Sequence, residues 1–461
     1  MNPKMLNLIA GAMLVPAMGF SAKVEKPNIV IFLVDDFGWK DLSCYGSRYY
    51  ETPVVDKLAQ NGVRFTNAYS ACTVCSPTRA ALMTGKYPAR LHLTDWIAGH
   101  KKANPILNIP DWTMYLPTEE ITIAEILKEH GYRTASIGKW HLGEDSIYWP
   151  ENQGFDLNVG GYFKGQPNSY FSPYKNPRMK DGPEGEYITD RLTEESLGFI
   201  RENKEKPFFL YLPHYAVHTP FQAKKELIEK YKSKTDPDNA KPNPVYAAMV
   251  ESMDQSMGKI LEELAKLKLT SKTYIFFMSD NGGLRPQATT NYPLREGKGT
   301  AYEGGTRTAL IVSGPKIPKG KIVNDPAITM DVVSTILDLV NISKQGAGMD
   351  GKSLLPAING QKTKADRPLF WHYPHYHTQG ATPYSAVRLN KWKYYLFYED
   401  NHTELYDLEA DLSEKNDISA QNPEKMKELN LLLKNWLKEV NAQLPVPNAA
   451  YDPQKITNKK R

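Results

Sequence analysis

Short apolar runs bounded by turn residues recur along the chain, with helix-patterned stretches between them. "NIVIFLV" (28–34) is the first, and its nearly unbroken apolar character suits a strand buried on both faces. "TASIG" (134–138), "PFFLYL" (207–212), "YIFFMS" (274–279) and "TALIVSG" (308–314) repeat the pattern. "ITIAEILKEHGY" opens on a capping box, Thr122 to Glu125, and stops at Gly131. Residues 245–267 place Met249, Met253, Met257, Ile260, Leu261 and Leu264 at helical spacing, a stripe that predicts core packing rather than a cofactor box. Strands alternating with helices predict an α/β fold with a large, mostly parallel sheet flanked by helices.

From about Leu369 the texture changes. Aromatic-rich runs such as "AVRLNKWKYYLFY" precede an acidic turn and a final helix, "EKMKELNLLLKNWLKEV". This pattern predicts a small C-terminal α+β unit, an antiparallel sheet covered by one helix. The expected division is 1–22 as a signal peptide, 23–365 as the large α/β domain and 366–461 as the C-terminal subdomain, whose last stretch, "DPQKITNKKR", reads as a frayed tail.

The amino terminus accounts for the first of these. Lys4 precedes an apolar run from Leu6 to Met18, and Gly19 and Ser21 satisfy the small-residue cleavage rule, so cleavage is expected near Ser21 or Ala22. The run is too short for a transmembrane helix, no cysteine follows it to take a lipid, and no later segment is apolar for long enough. The expectation is an exported protein, periplasmic or secreted. With 461 residues, 41% hydrophobic and 24% charged, the chain can bury a large core, which excludes the disordered and fibrous classes. A net charge of +5 without any dense Lys/Arg block gives no nucleic-acid footprint.

In open α/β sheets ligands bind beyond the carboxyl ends of the strands. Asp35 and Asp36 follow the first strand, Lys139 and His141 the second, His214 and His218 the third, and Asp280 and Asn281 the fourth. Adjacent carboxylates repel unless a cation lies between them. Asp35, Asp36, Asp280 and Asn281 offer only oxygen, which suits a hard ion, Ca²⁺ or Mg²⁺, over Zn²⁺. Lys298 sits in "REGKGTAYEGG", where the glycines allow close approach to a ligand. His92, His100, His130, His214 and His402 read as packed or surface histidines.

Three cysteines, Cys44, Cys72 and Cys75, are an odd set and no disulfide framework. Cys72 and Cys75 form a C-x-x-C. A thioredoxin-like pair would open a helix in a much smaller fold, and a zinc knuckle would need a second ligand pair that the chain lacks.

Cys75 belongs instead with the residues on its carboxyl side. "CSPTRAALMTG" (75–85) resembles the signature of the formylglycine-dependent sulfatases of the alkaline-phosphatase superfamily. "VDDFGWKDLSCYG", "GKWHLG", "HTPF", "SDNGG" and "GKGTAYEGGTR" keep the family's order, and the resemblance spans roughly residues 27–440. It implies an alkaline-phosphatase-like fold and a sulfuric ester hydrolase whose Cys75 is converted by a formylglycine-generating enzyme to an aldehyde (3-oxoalanine), hydrated at rest. It further implies that Cys75 is nucleophile and metal ligand, and that Asp35, Asp36, Asp280 and Asn281 hold what is usually Ca²⁺. Arg79 and His141 would serve the hydrate, Lys139 and Lys298 the sulfate oxygens, and His218 the leaving oxygen.

For substrate, "FWHYPHYHTQG" brings His372, His375 and His377 among aromatics, and His375 is the expected sugar contact. The resemblance implies a secreted bacterial carbohydrate sulfatase, exo-acting on a sulfated galactose or N-acetylgalactosamine, with O4 as the expected position. The alternatives are a phosphatase or phosphodiesterase of the same superfamily, which would carry Ser or Thr at the nucleophile and a second metal set, and a silent glycan-binding relative, which would have lost site residues. Neither pattern is present.

Overall fold

The structure, a computed structural model, describes residues 26–343, 348–361 and 367–455. The expected signal peptide (1–22), the expected domain boundary at 365/366 and the end of the C-terminal tail lie outside these residues.

Nine strands form the main sheet: β1 (Asn28–Val34), β2 (Gly62–Tyr69), β3 (Arg133–Ile137), β4 (Leu157–Val159), β5 (Phe208–Pro213), β6 (Thr273–Ser279), β7 (Arg307–Ser313), β8 (Lys321–Val323) and β9 (Ala327–Ile328). Their order is β9-β2-β7-β6-β1-β5-β3-β4, with β8 beside β2. All pairings are parallel except those of β7 with β2 and β6. The strands expected from the apolar runs all form, each within one residue of its expected limits.

β1 lies inside the sheet, and its seven residues are all buried. Alternate side chains on a strand point to opposite faces. Val30, Phe32 and Val34 accordingly join a core that includes helices Pro53–Gln60, Ile188–Glu202 and Pro244–Lys266. Ile29, Ile31 and Leu33 join a second core with helices Cys75–Thr84, Ile123–Glu129 and Thr329–Leu339. A strand sandwiched between two helical layers must be apolar throughout, which is the pattern "NIVIFLV" carries. Met249, Met253, Met257, Ile260 and Leu264 are buried within the first core, so the methionine stripe is packing. The capping box forms as expected: Thr122 Oγ1 accepts from Glu125 N at 3.1 Å, and Glu125 Oε2 accepts from Thr122 N at 2.7 Å.

The C-terminal strands β10 (Leu369–Tyr373), β11 (Tyr384–Leu389), β12 (Trp392–Phe397) and β13 (Thr403–Asp407) form an antiparallel sheet in that order, covered by helix Pro423–Glu439. This sheet shares a core with the large one. Trp436 of the helix stacks on Phe370 with ring centroids 4.6 Å apart, and its edge meets Tyr87 at 5.0 Å. A buried charge set also joins the two sheets, with Glu303 held by Tyr69 Oη (2.6 Å), Arg307 (3.1 Å) and Lys393 (3.2 Å).

Candidate active site

The carboxyl ends of β1, β3, β5 and β6 converge on the amino-terminal end of helix Cys75–Thr84. Asp36 and His141 leave their strands with left-handed backbone, φ +56° and +63°, which turns consecutive side chains in different directions. Arg79, one turn into the helix and fully buried, ties three strand ends together. Its Nε and Nη2 bind Asp280 Oδ2 at 2.9 and 2.8 Å, its Nη2 lies 3.5 Å from Asp35 Oδ2, and its Nη1 donates to Lys139 O at 2.9 Å.

Around Cys75 the groups are close. Lys139 Nζ is 2.6 Å from Asp35 Oδ2, and Lys298 Nζ is 2.7 Å from Asp36 Oδ1. Lys298 Nζ also lies 3.5 Å from Cys75 Sγ and 3.2 Å from His218 Nε2. Cys75 Sγ is 3.6 Å from Asp35 Oδ1 and 3.9 Å from Asp36 Oδ1. Burial pushes the Cys75 thiol up to about 12, so as a thiol it stays protonated and is a poor nucleophile at neutral pH.

The donor set fits a hard divalent cation. Burial, and then the Asp280 charge, push Asp35 up to about 7, whereas Lys298 and then His218 hold Asp36 well down against its own burial. Three buried carboxylates crowd one spot, and one of them is left seeking a positive charge. Asn281 supplies a second sign: its Nδ2 donates to Asp36 Oδ1 at 2.8 Å, and its buried Oδ1 has no partner among the described residues. Ligand atoms of Asp35, Asp36, Cys75 and His218 lie within 4.8 Å of one another. Asp280 sits at the rear of this group, with Oδ2 on Arg79 and Oδ1 accepting from Asp36 N at 3.2 Å.

The two histidines next to Cys75 carry opposite free nitrogens. His141 Nε2 is 2.5 Å from the carbonyl of Ile97, so the proton sits on Nε2 and the buried Nδ1, unpartnered among the described residues, is a bare base. Burial, then Lys139, hold this imidazole neutral. Gly165 covers it, and a Cβ there would come within 2.4 Å of Cε1. His218 Nδ1 faces the Thr219 carbonyl at 2.9 Å, which leaves Nε2 to accept from Lys298. Burial lowers its pKa to about 3, with Lys298 and Lys139 adding to this against Asp36.

A cavity of about 460 Å³ opens on Asp36, Cys75, His141, His218 and Lys298, within the size range of small-ligand sites. Arg79 and Lys139 lie beneath it rather than on its wall. His375 is corrected as a sugar contact. It is fully buried, its Nε2 bonds Thr94 Oγ1 at 2.7 Å, and its ring packs on Trp112 and Tyr373. His372 is likewise structural, with Nδ1 on Ser385 Oγ and Nε2 on Gln443 O. The outer wall instead contains Trp96, His100, Gln166, His377, Thr378 and Gln379. In the sequence His100 reads as a plain packed or surface histidine, and no local spacing marks it as part of a site. His214 packs in the core beside Phe32, as expected. Cys44 and Cys72 are free thiols; Cys72 packs where the two sheets meet, and Cys44 lies against the helix-lined core.

The family model described as Sulfatase matches residues 27–342, and one described as N-sulphoglucosamine sulphohydrolase, C-terminal, matches residues 297–443. A protein of Formosa agariphila named Sulfatase is 31% identical over 499 residues, covering 91% of this chain and 90% of its own. N-acetylgalactosamine-6-sulfatase of Homo sapiens is 33% identical over 383 residues, covering 77% of this chain and 70% of its own. The crystal structure of Ps i-CgsB matches with a TM-score of 0.79 at 32% identity, over 89% of this chain and 93% of that one. Phosphonate monoester hydrolase of Agrobacterium radiobacter, at 16% identity and a TM-score of 0.68, shares the fold. With a family model spanning the main sheet and relatives covering nearly its whole length, this chain belongs to the sulfatase family and is a sulfuric ester hydrolase.

Proposed function

We propose that the protein removes sulfate from a sulfated saccharide, acting at a chain end, with formylglycine at position 75 as the nucleophile. The observation that carries this reading is the buried Cys75. It stands among Asp35, Asp36, Lys139, Lys298, His141 and His218, and burial disfavours its thiolate against the pull of the two lysines. Burial disfavours the thiolate at this position, which supports an oxygen nucleophile there in place of the thiol.

The hydrated aldehyde supplies an oxygen nucleophile and a second hydroxyl whose deprotonation releases sulfate without a second attack at sulfur. Asp35, Asp36, Asp280 and Asn281 would hold a divalent cation, Ca²⁺ or Mg²⁺, which supplies positive charge to a sulfate oxygen and to the nucleophile. Lys298 and Lys139 add positive charge for the sulfate oxygens. His141 Nδ1, bare and neutral, takes the proton of the second hydroxyl. His218 Nε2, next to the Lys298 ammonium, delivers a proton to the departing sugar oxygen; the arriving sulfate supplies the negative charge that favours its protonation. General acid help of this kind contributes ~10² to 10⁴-fold. Arg79 keeps Asp280, Asp35 and the Lys139 backbone in register.

The saccharide is a galactose or N-acetylgalactosamine sulfate. The names borne by relatives, N-acetylgalactosamine-6-sulfatase and a Ps i-CgsB complex with k-i-k-neocarrahexaose, support this class, and they put O6 beside O4 as a position to test. The protein is exported, to the periplasm or beyond, and matured by a formylglycine-generating enzyme. The test is a mass spectrum of the peptide containing residue 75 after co-expression with such an enzyme, with turnover then measured on O4- and O6-sulfated sugars. Aldehyde at 75 with sulfate release supports the reading. Uniform thiol with no release overturns it and restores the phosphatase and glycan-binding alternatives.

A further inference from the structure

Two histidines on the outer wall of the cavity, far apart in sequence, meet with ring centroids 4.5 Å apart. His100 follows Trp96, whose indole Nε1 donates to His100 Nδ1 at 3.1 Å. His377 lies in a turn after β10, where the backbone N–H of Gln379 donates to His377 Nδ1 at 3.1 Å. In both rings Nδ1 is therefore an acceptor, and the neutral imidazole carries its proton on Nε2. Both rings are held neutral by burial, with the Lys298 charge assisting. His377 Nε2 has no partner among the described residues, and His100 Nε2 has only a long contact of 3.4 Å with Thr378 Oγ1.

The position of His377 is tied to the catalytic loop. Gly299 N donates to Thr73 O, and Gly299 O accepts from Ala381 N across the turn. Gly299 has φ +72°, and a Cβ there would stand 2.0 Å from His377 Nδ1, so only glycine lets the Lys298 loop lie against this ring. The same wall is poor in charge. Lys298 is the single lysine or arginine lining the cavity among the described residues, and it is engaged with Asp36. The nearby Lys164 is turned onto Asn168 at 2.6 Å.

We propose that His100 and His377 form the sugar-reading wall of this site, donating from their two Nε2–H groups to hydroxyl or ring oxygens of an uncharged pyranose, and that the wall disfavours a uronic acid ring. This rests on the carbohydrate sulfatase reading above and names the ring that reading leaves open. A neutral sugar presents the lone pairs that two N–H donors require. A carboxylate would enter the same space without a free cation to meet it, at a desolvation cost.

The experiment measures binding by calorimetry to the full-length Cys75→Ser protein, which needs no maturation, and turnover by matured enzyme. The ligands are O4- and O6-sulfated N-acetylgalactosamine, a 2-O-sulfated uronic acid glycoside and 4-nitrophenyl sulfate. His377→Ala and His100→Ala are each expected to weaken binding of the preferred neutral sugar about tenfold, the order expected when one hydrogen bond is lost. Gln at either position, which keeps a terminal N–H donor, should recover most of it. The ratio of kcat/KM for the sugar to that for 4-nitrophenyl sulfate should fall about tenfold in the Ala variants. Undiminished sugar binding, an equal loss on both esters, or tighter binding of the uronic acid glycoside would each overturn the proposal. Wild-type turnover of 4-nitrophenyl sulfate alongside any of these leaves the sulfatase reading standing, whereas no turnover of any sulfate ester removes both.

Discussion

Arg79 and Asp280 form a fully buried pair in which two guanidinium nitrogens, at 2.9 and 2.8 Å, share one carboxylate oxygen. The pair spans 201 residues of sequence and fastens the active-site helix to the end of β6. It leaves the other Asp280 oxygen to accept from Asp36 N. Its purpose is to hold acids in place beneath the site.

Removing one partner strands the other charge in the interior. Arg79→Ala is expected to destabilise the fold by about 3–5 kcal/mol, whereas an exposed pair such as Lys427–Glu424 is worth at most about 1 kcal/mol. Urea unfolding of Arg79→Ala and of Lys427→Ala measures the contrast, and equal small losses would refute a structural role for Arg79.

Cys75→Ala should fold with near wild-type stability and lose sulfate release by at least ~10³-fold, the scale on which enzymes lose an essential nucleophile. Thermal melts and a sulfate-release assay on the same preparation separate these two effects. Appreciable turnover by the alanine protein, or by protein expressed without the maturing enzyme, would contradict a formylglycine mechanism.

A divalent ion that binds the native state alone should raise stability by about 2.7 kcal/mol at a hundredfold excess over its Kd. Melting curves of chelator-treated protein, with and without Ca²⁺ or Mg²⁺, read this directly without any assay of activity. The ion-dependent rise should shrink in Asn281→Ala, which deletes the unpartnered oxygen. A rise of the same size in that variant would exclude Asn281 as a ligand.

Burial holds His214 at about 3 and His372 at about 4 in the folded chain, below the ordinary value of 6.5. Between those limits the unfolded state binds the extra proton, so each of these histidines subtracts stability as pH falls from about 6.5. The loss is about 1.4 kcal/mol per pH unit, or about 2 kcal/mol at pH 5. A buried carboxyl that lacks a cationic partner acts in the opposite sense. Burial raises Asp95 to about 7, so the fold binds its proton first and gains stability over the same range. The observable is therefore a difference: stability measured from pH 7.5 to 5 should fall less steeply in His214→Gln than in wild type, by about one proton. Parallel curves would show that His214 takes up its proton alike in the folded and unfolded chain.

The sequence by itself determined the elements and the residues that gather at the candidate site, because both are written locally. A strand between two helical layers must be apolar at every position, as β1 is, and the polar residues directly after such strands must emerge at one rim. Hence Asp35, Asp36, Lys139, His141, His218, Asp280 and Asn281 are legible one strand at a time, and the Cys75 motif adds the centre they surround. Only the tertiary structure decided the far wall. His375 and His377 are two residues apart in an irregular turn, so no period says which faces inward; packing on Trp112 and Thr94 buries the first and leaves the second beside the cavity. His100 gains its place through contact with His377, far along the chain, at the junction of two sheets that share one core. Long-range packing of this kind has no local signal, which is why the residues at the strand ends can be read from the chain and the outer wall of the cavity cannot.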